Sequence, residues 1–350
     1  KLIAFNNALF GRVRGALSHV NVTVSLFFAG LTGAAITDTV AIGKIMIPEM
    51  KKQGYDAEYA AAITACSSII GPIIPPSVVM VVYATLLRDV SVIDLFAGGI
   101  VPGILMTVAL LATSIVLAWR RGYPKQAPTP LKMALLAFFS ALPAMLVPLI
   151  ILGGILSGMT TITEASGFAA VYAILIGMLF YRNLTLAKVA QALVTTVKFS
   201  GVVFFLLATS AVLGWFVTRS GVAREAASLI TSLSDVAFVQ ILLVCLLLIV
   251  IGTVMDVLPA LVVIGPVVVP AMVSLGFDPL HFAIVMIVTL NIANVTPPVG
   301  MTLMTAARIA QVPYEKAILA SLPFYTAFIL VVVLLAGFPA LSTWIPSLLD

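Results

Sequence analysis

Thr64-Ala-Cys-Ser-Ser-Ile-Ile-Gly71-Pro72-Ile-Ile-Pro75-Pro76-Ser77 begins as a helix and cannot continue as one. Pro72, Pro75 and Pro76 each remove an amide donor and clash with the preceding turn, which frees carbonyls about four residues upstream. A gapless step of 222 residues leads to Asn291-Ile-Ala293-Asn294-Val-Thr296-Pro297-Pro298-Val-Gly300, where the double proline returns. Working outward, Gly43, Pro48, Gly54, Tyr55 and Asp56 fall on Gly265, Pro270, Gly276, Phe277 and Asp278 in the same register. One proline kink has an ordinary structural reading; two copies of the whole pattern describe a repeat.

The chain around these breaks is 62% hydrophobic and 9% charged, with a mean hydropathy of +1.22. A single soluble core cannot hide that much apolar surface, so the composition is that of an integral membrane protein. Spans of about 20 apolar residues are expected, and segments close to 18–33, 92–119, 131–156, 164–181, 236–256 and 317–345 qualify. Long apolar runs containing Gly and Pro exclude a β-barrel, whose strands would alternate in ten-residue segments. The fold class is therefore an all-α polytopic membrane protein with broken helices and re-entrant hairpins. Unwound backbone at membrane depth needs protein or a water-filled cavity around it. Duplicated breaks of this kind point to a secondary transporter, with cargo and coupling ions held at the breaks.

The net charge of +5 carries no nucleic-acid signal, because Lys and Arg sit between apolar segments and form no basic face. Cys66 and Cys245 lie in apolar stretches at no metal or redox spacing, and His19 and His281 are too few for a histidine metal site. Arg120, Arg121, Lys125 and Lys132 share one side with Arg182 and Lys188, and positive loops face the cytoplasm. Lys51 and Lys52, before the first break, are then inside, and Gly276 to Pro279, before the second, outside, so the two repeats are inverted. On the same trace Lys1, Arg12 and Arg14 fall outside, held there by an interfacial helix. Residues 1–130 form the first repeat with its break at 71–77. Residues 131–350 form the second, with scaffold spans over 131–185 and a hairpin and break, at 293–300, within 186–350. Equal repeats would imply that roughly 90 residues precede Lys1, an estimate that rests on the repeat architecture.

Upstream of each break a carboxylate interrupts an apolar run, Asp38 in Gly30-Leu-Thr32-Gly33-Ala-Ala-Ile-Thr37-Asp38-Thr39 and Asp256 in Gly252-Thr253-Val-Met-Asp256-Val-Leu-Pro259. A carboxylate within the membrane is costly and marks function by default, although both positions also suit capping of the helix that follows. An anionic cargo would find positive partners in bound cations and in helix N-termini after Pro76 and Pro298. Thr37, Ser77, Asn294 and Thr302 are candidate hydrogen-bonding contacts, and with Asp38 and Asp256 they make up the candidate substrate site.

Gly30-Leu-Thr-Gly with Asp38, Pro48-Glu-Met-Lys-Lys-Gln-Gly54-Tyr55, Gly71-Pro-Ile-Ile-Pro-Pro-Ser77, Thr163-Glu164-Ala165, Met255-Asp256 with Pro259, and Thr296-Pro-Pro-Val-Gly300 together resemble the large membrane subunit of the tripartite ATP-independent periplasmic (TRAP) transporters. The resemblance runs from end to end. It implies sodium-driven uptake of organic anions across the bacterial inner membrane, with no other cofactor. It also implies a periplasmic solute-binding protein, a small four-helix membrane subunit, and an elevator-type fold in which a transport domain slides on a scaffold. Carried onto this chain, one sodium ion would be held at Gly71, Ile74 and Pro76 with Thr32. The other would be held at Ala293, Thr296 and Pro298 with Gly252. Ala34 and Ala35 replace serines common in the family, and Ala293-Asn294 replaces a glycine-rich turn. An organic-anion symporter working without a binding protein is the alternative. An intramembrane aspartyl enzyme would need Asp38 and Asp256 as a catalytic pair, and a channel would need a continuous polar path.

Overall fold

The prolines end helices where the sequence places them. The computed structural model describes residues 13–125 and 131–349, and these are helical with no strand among them. Helix α1 (Ala16–Thr32) stops at Gly33, whose φ of 60° is a left-handed terminus that glycine adopts without steric cost. Helix α2 (Ala35–Lys52) runs back along it, since the amide of Leu17 donates to the hydroxyl of Tyr55 at 3.3 Å. The pair is thus a hairpin with its tip at Gly33-Ala34. Helix α3 (Ala57–Ser68) leads into the first break, and α4 (Val78–Leu87) resumes after it, its N-terminus capped by the Ser77 hydroxyl. Helix α5 (Val92–Arg120) is long enough to cross a bilayer.

A second series follows the same plan. Helices α6 (Leu131–Leu156), α7 (Ile162–Leu175, extended by a π-helical turn at Ile176–Phe180), α8 (Leu186–Ser220) and α9 (Val222–Leu233) lead into it. Then come α10 (Ala237–Gly252), α11 (Val257–Ser274), α12 (Pro279–Ala293), α13 (Met301–Ala310), α14 (Tyr314–Gly337) and the short α15 (Ala340–Thr343). Under the 222-residue step α2 superposes on α11 from end to end, and α3 and α5 begin at the equivalents of Pro279 and Tyr314. Pro75-Pro76 and Pro297-Pro298 are both joined by cis peptide bonds.

The two series interlock. Helix α13 packs on α2 and α3, α4 packs on α11, and α5 and α14 lie against each other. At one end of the molecule Arg121, at the close of α5, pairs with Asp56 at 2.8 Å, and Lys316, at the start of α14, approaches Glu58 at 3.9 Å. At the other end a methyl group on Gly98, near the start of α5, would meet the carbonyl of Ser342, beyond the end of α14. Helices α5 and α14 are therefore antiparallel, and the two series run in opposite directions.

This geometry corrects one expectation from charge. Arg14 sits over the Trp119 ring at 5.7 Å, and the Gly15 amide donates to the Pro124 carbonyl at 3.1 Å. Arg14 thus shares an end with Arg120, Arg121 and Lys51. The outside placement assumed that the first apolar segments cross the bilayer, whereas α1 and α2 turn back at Gly33. Lys1 and Arg12 lie outside the described residues.

Among the described residues five helices are long and apolar enough to span a membrane, or six if a bent pair is counted as one. That pair is α9 and α10, which meet at 119°. Helix α8 was absent from the expected spans because Thr195, Thr196, Lys198, Ser200 and Ser210 dilute its apolar run. It is nevertheless a 35-residue helix whose Phe204 and Phe205 are each 70% exposed, as a lipid-facing surface requires. Helices α6 and α7 pack chiefly on each other, and α6 meets the interlocked body through α1.

Candidate functional site

Asp38 occupies the first turn of α2 and is fully buried. One of its oxygens accepts a hydrogen bond from Thr32 Oγ1; the other, Oδ2, has no donor among the described residues and is directed at Gly71, where a methyl group would collide with it. A buried carboxylate oxygen without a partner costs several kcal/mol unless a cation or donor reaches it. Capping does not explain Asp38, because the N-cap of α2 is Ala34, which offers no side-chain bond. Asp256 does cap: its Oδ1 accepts from the Val257 amide at 2.8 Å.

Around the first break the carbonyls of Gly71, Ile74 and Pro76 receive no hydrogen bond from any described residue. The Pro72 carbonyl accepts from Ser77 Oγ at 2.6 Å, which holds the loop closed against its own cap. Gly33 brings the hairpin tip onto this loop, since a methyl group there would lie 2.6 Å from the Pro76 carbonyl oxygen. Thr32 and Gly71 thus meet at Asp38, and the adjoining Gly33 touches the Pro76 carbonyl. Ile74 itself turns its side chain against Gly103 of α5, so only its backbone is available.

The second break is more heavily bonded. Ala293 accepts from the Thr296 amide at 3.0 Å, and Asn294 accepts from both the amide and the hydroxyl of Thr302, at 3.2 and 2.8 Å. Tyr325 donates to Val295 at 3.0 Å and Tyr314 to Val299 at 2.6 Å. The Thr296 hydroxyl donates back to Ile292, which leaves the carbonyls of Thr296 and Pro298 without a donor among the described residues. Gly252 abuts Ala293 so closely that a methyl on the glycine would stand 2.6 Å from the alanine Cβ.

Two cavities flank the breaks. One, of about 420 Å³, separates Thr32, Pro76 and Ser77 from α6, α7 and α8, with Ile151, Ser166 and Phe199 on the far wall. The other, of about 220 Å³, lies where the two hairpin tips meet. Thr37 and Ala34 line it from the first series and Asp256, Asn291 and Asn294 from the second, with Val78 and Phe199 shared between the cavities. Of the candidate substrate contacts, Thr37, Asp256 and Asn294 line the smaller cavity and Ser77 the larger. Asp38 faces the break, and Thr302 is spent holding Asn294.

With this geometry in place, comparison assigns the chain. The family profile described as "Tripartite ATP-independent periplasmic transporter, DctM component" matches residues 1–341. The chain belongs to this family. As a TRAP large permease it is a membrane transport component and not an enzyme, and it works with a small membrane subunit and a periplasmic binding protein. It is 34% identical to the sialic acid TRAP transporter large permease protein SiaM of Vibrio cholerae, over 99% of this chain and 80% of that protein. It is 32% identical to the C4-dicarboxylate TRAP transporter large permease protein DctM of Pseudomonas aeruginosa, over 99% and 81%. The solved YdaH transporter of Alcanivorax borkumensis shares its fold with a TM-score of 0.60 at 17% identity, over 96% of this chain and 83% of that one.

Two features of the permease escape a reading of motifs alone. Asn291, inside the second motif, lines the smaller cavity. A buried ladder also joins α1 to α3, with Asn21 Nδ2 donating to Thr64 Oγ1 at 2.7 Å and Ser25 Oγ to Ser67 Oγ at 2.8 Å. The available signal was spacing: Asn21 with Ser25, and Thr64 with Ser67 and Ser68, lie one turn apart in otherwise apolar helices.

Proposed function

We propose that this permease moves a small organic anion across the inner membrane in symport with sodium, receiving it from a periplasmic binding protein. One observation carries the ion assignment: Asp38, deeply buried, keeps an oxygen unpartnered among the described residues, beside a break whose Gly71, Ile74 and Pro76 carbonyls also lack donors among them. An all-oxygen cluster bearing one negative charge suits a hard cation of sodium's kind. Thr296 and Pro298, with Ala293 and Gly252, would hold a second ion less completely, since Ala293 already accepts a backbone bond. The cargo would enter between the hairpin tips, in the cavity bounded by Thr37, Asp256 and Asn294.

The motion we assign is an elevator. The interlocked body containing both breaks faces α6 and α7 across the larger, mainly apolar cavity, whereas α8 packs directly on α11, where Ser210 Oγ donates to the Val262 carbonyl at 2.9 Å, so the sliding surface we assign lies against α6 and α7. Its membrane partner is the small four-helix subunit, covering apolar surface on α6 to α8.

The test is uptake into proteoliposomes by full-length permease assembled with its small subunit and binding protein. Transport driven by an inward sodium gradient, absent with potassium or choline, supports the reading. Equal uptake in all three salts overturns the sodium assignment. Uptake undiminished without the binding protein favours a free-standing symporter.

A further inference from the structure

The contacts between α1 and α3 keep one nearly constant offset along the two helices. Asn21 Nδ2 reaches Thr64 Oγ1 across 43 residues, and Ser25 Oγ reaches Ser67 Oγ across 42. The same offset brings Gly33, at the hairpin tip, onto the Pro76 carbonyl. The helices therefore run in parallel, and the polar rungs stand in the same register as the contact between tip and break. Asn21 is held from both ends of its amide, since its Oδ1 accepts from Ser67 Oγ at 3.3 Å. All four rung residues are fully buried.

The hydroxyls do not need the rungs to be satisfied. Ser25 Oγ also donates to the Asn21 carbonyl at 3.0 Å, Thr64 Oγ1 to Ala60 at 2.7 Å, and Ser67 Oγ to the Thr64 carbonyl at 3.2 Å, each within its own helix. What the rungs add is alignment. Helices in a membrane gain little from apolar contact that lipid would not also give, so their register depends on shape and on polar pairs. The nearest competing register is a slide of one turn, about 5.4 Å, which presents the same faces again. It would break the rungs and carry Gly33 off Pro76. The repeat does not itself demand such rungs: Asn21, Ser25 and Thr64 align with Leu243, Leu247 and Met286. Thr289, at the position of Ser67, meets only a sulfur there, Cys245 Sγ at 3.6 Å.

Resting on the ion reading above, we infer that Asn21, Ser25, Thr64 and Ser67 are positioning residues for the first ion site, holding α1 against α3 in the one register that sets Thr32 and Asp38 against Gly71. Buried polar pairs serve this purpose elsewhere, where a single polar residue among apolar ones fixes the alignment of paired helices. The first hairpin and the first break then behave as one rigid unit. At the second break the corresponding helices are aligned by apolar packing.

The experiment titrates the full-length permease, assembled with its small subunit, with sodium against choline at constant ionic strength. It reads two quantities, the unfolding temperature in choline and the sodium concentration that gives half of the protection. Asn21→Leu removes the contacts to Thr64 and Ser67, and should raise the half-protecting concentration about three- to tenfold, the weight of two interhelical hydrogen bonds in a membrane. Thr64→Val removes one rung at nearly constant shape and should raise it about threefold. Thr64→Ser keeps the hydroxyl and should retain the wild-type value. A lower unfolding temperature in choline with an unchanged half-protecting concentration overturns the inference, because the rungs would then only fasten the helices. An equal rise in Thr64→Val and Thr64→Ser also overturns it, since loosened packing and not the hydroxyl would be responsible. If Asn21→Leu does not fold, the two Thr64 variants decide the matter alone. Absence of sodium-specific protection in the wild type would sink the ion reading and this inference with it, whereas wild-type protection that these variants leave unaltered sinks the inference alone.

Discussion

The two breaks are made from equivalent sequence and finished by different chemistry. Gly71 and Ala293 occupy the same repeat position. At the first break glycine leaves room for the Asp38 carboxylate; at the second alanine fills that room, and the opposing Gly252 yields instead. Gly103 and Tyr325 are likewise equivalent. The first accommodates Ile74 against α5, while the second tethers the Val295 carbonyl with its hydroxyl. The aspartates break the symmetry too, since Asp38 aligns with Ala260 and Asp256 with Ala34. A repeat fixes where the backbone opens, and side chains at equivalent positions decide whether the opened carbonyls stay free. If the breaks hold ions as proposed, the first should be the stronger site.

The largest expected effect comes from filling the glycines. Gly71→Ala drives a methyl into Asp38 Oδ2, and Gly252→Ala drives one to 2.6 Å from the Ala293 Cβ. Each should destabilise by about 1–3 kcal/mol, as overpacking of a tight core does, and lower the unfolding temperature of the full-length protein. Gly252→Ala combined with Ala293→Gly should recover most of its loss, because the crowded methyl has only changed sides. Gly71→Ala combined with Asp38→Asn should recover little, because an amide is as bulky as the carboxylate. Recovery in the first break and none in the second would invert the comparison.

Next in size is the response to sodium. A ligand that binds only the folded state at a hundredfold excess over its Kd stabilises by about 2.7 kcal/mol. Asp38→Asn and Thr32→Val should remove most of the sodium-specific rise in unfolding temperature, and Thr296→Val a smaller part. Titration with sodium against potassium at constant ionic strength checks this ordering. Equal losses from Asp38→Asn and Thr296→Val would mean that the free carbonyls of the first break confer no advantage.

The breaks were legible because proline chemistry is local: a missing amide and a ring clash act wherever the residue stands. The long spans were legible for the same reason, since their length and hydropathy are properties of a single segment. What escaped the sequence depends on distant partners. The turn-back of α1 at Gly33 reversed the side assigned to Arg14, because an apolar segment of 17 residues looks like a span until its return helix is seen beside it. Helix α8 was hidden by hydroxyls, several of which are satisfied within the helix itself, as when Thr195 and Thr196 donate to Gln191 and Ala192. Asp38 and Asp256 read alike in sequence, and only packing reveals that one caps a helix while the other faces a glycine.

The smallest expected effect concerns the tyrosine tethers. Tyr325→Phe and Tyr314→Phe each delete one hydroxyl donor, leaving Val295 or Val299 with a carbonyl no longer paired. Each loss should cost about 1 kcal/mol in stability, the usual net worth of such a bond. The two losses should differ in kind from those at Gly71, since nothing is crowded and the freed oxygens lie at the second break, the one proposed to hold its ion less completely. If the tethers are what keeps the second break from binding an ion as strongly as the first, Tyr325→Phe should increase the share of the sodium response that Thr296→Val removes, even while overall stability falls. A double-mutant cycle of Tyr325→Phe with Thr296→Val, read as sodium-dependent unfolding temperature, measures that coupling. Strict additivity would show that the tethers only fasten the loop to α14, and that the difference between the breaks resides in the carboxylate of Asp38 alone.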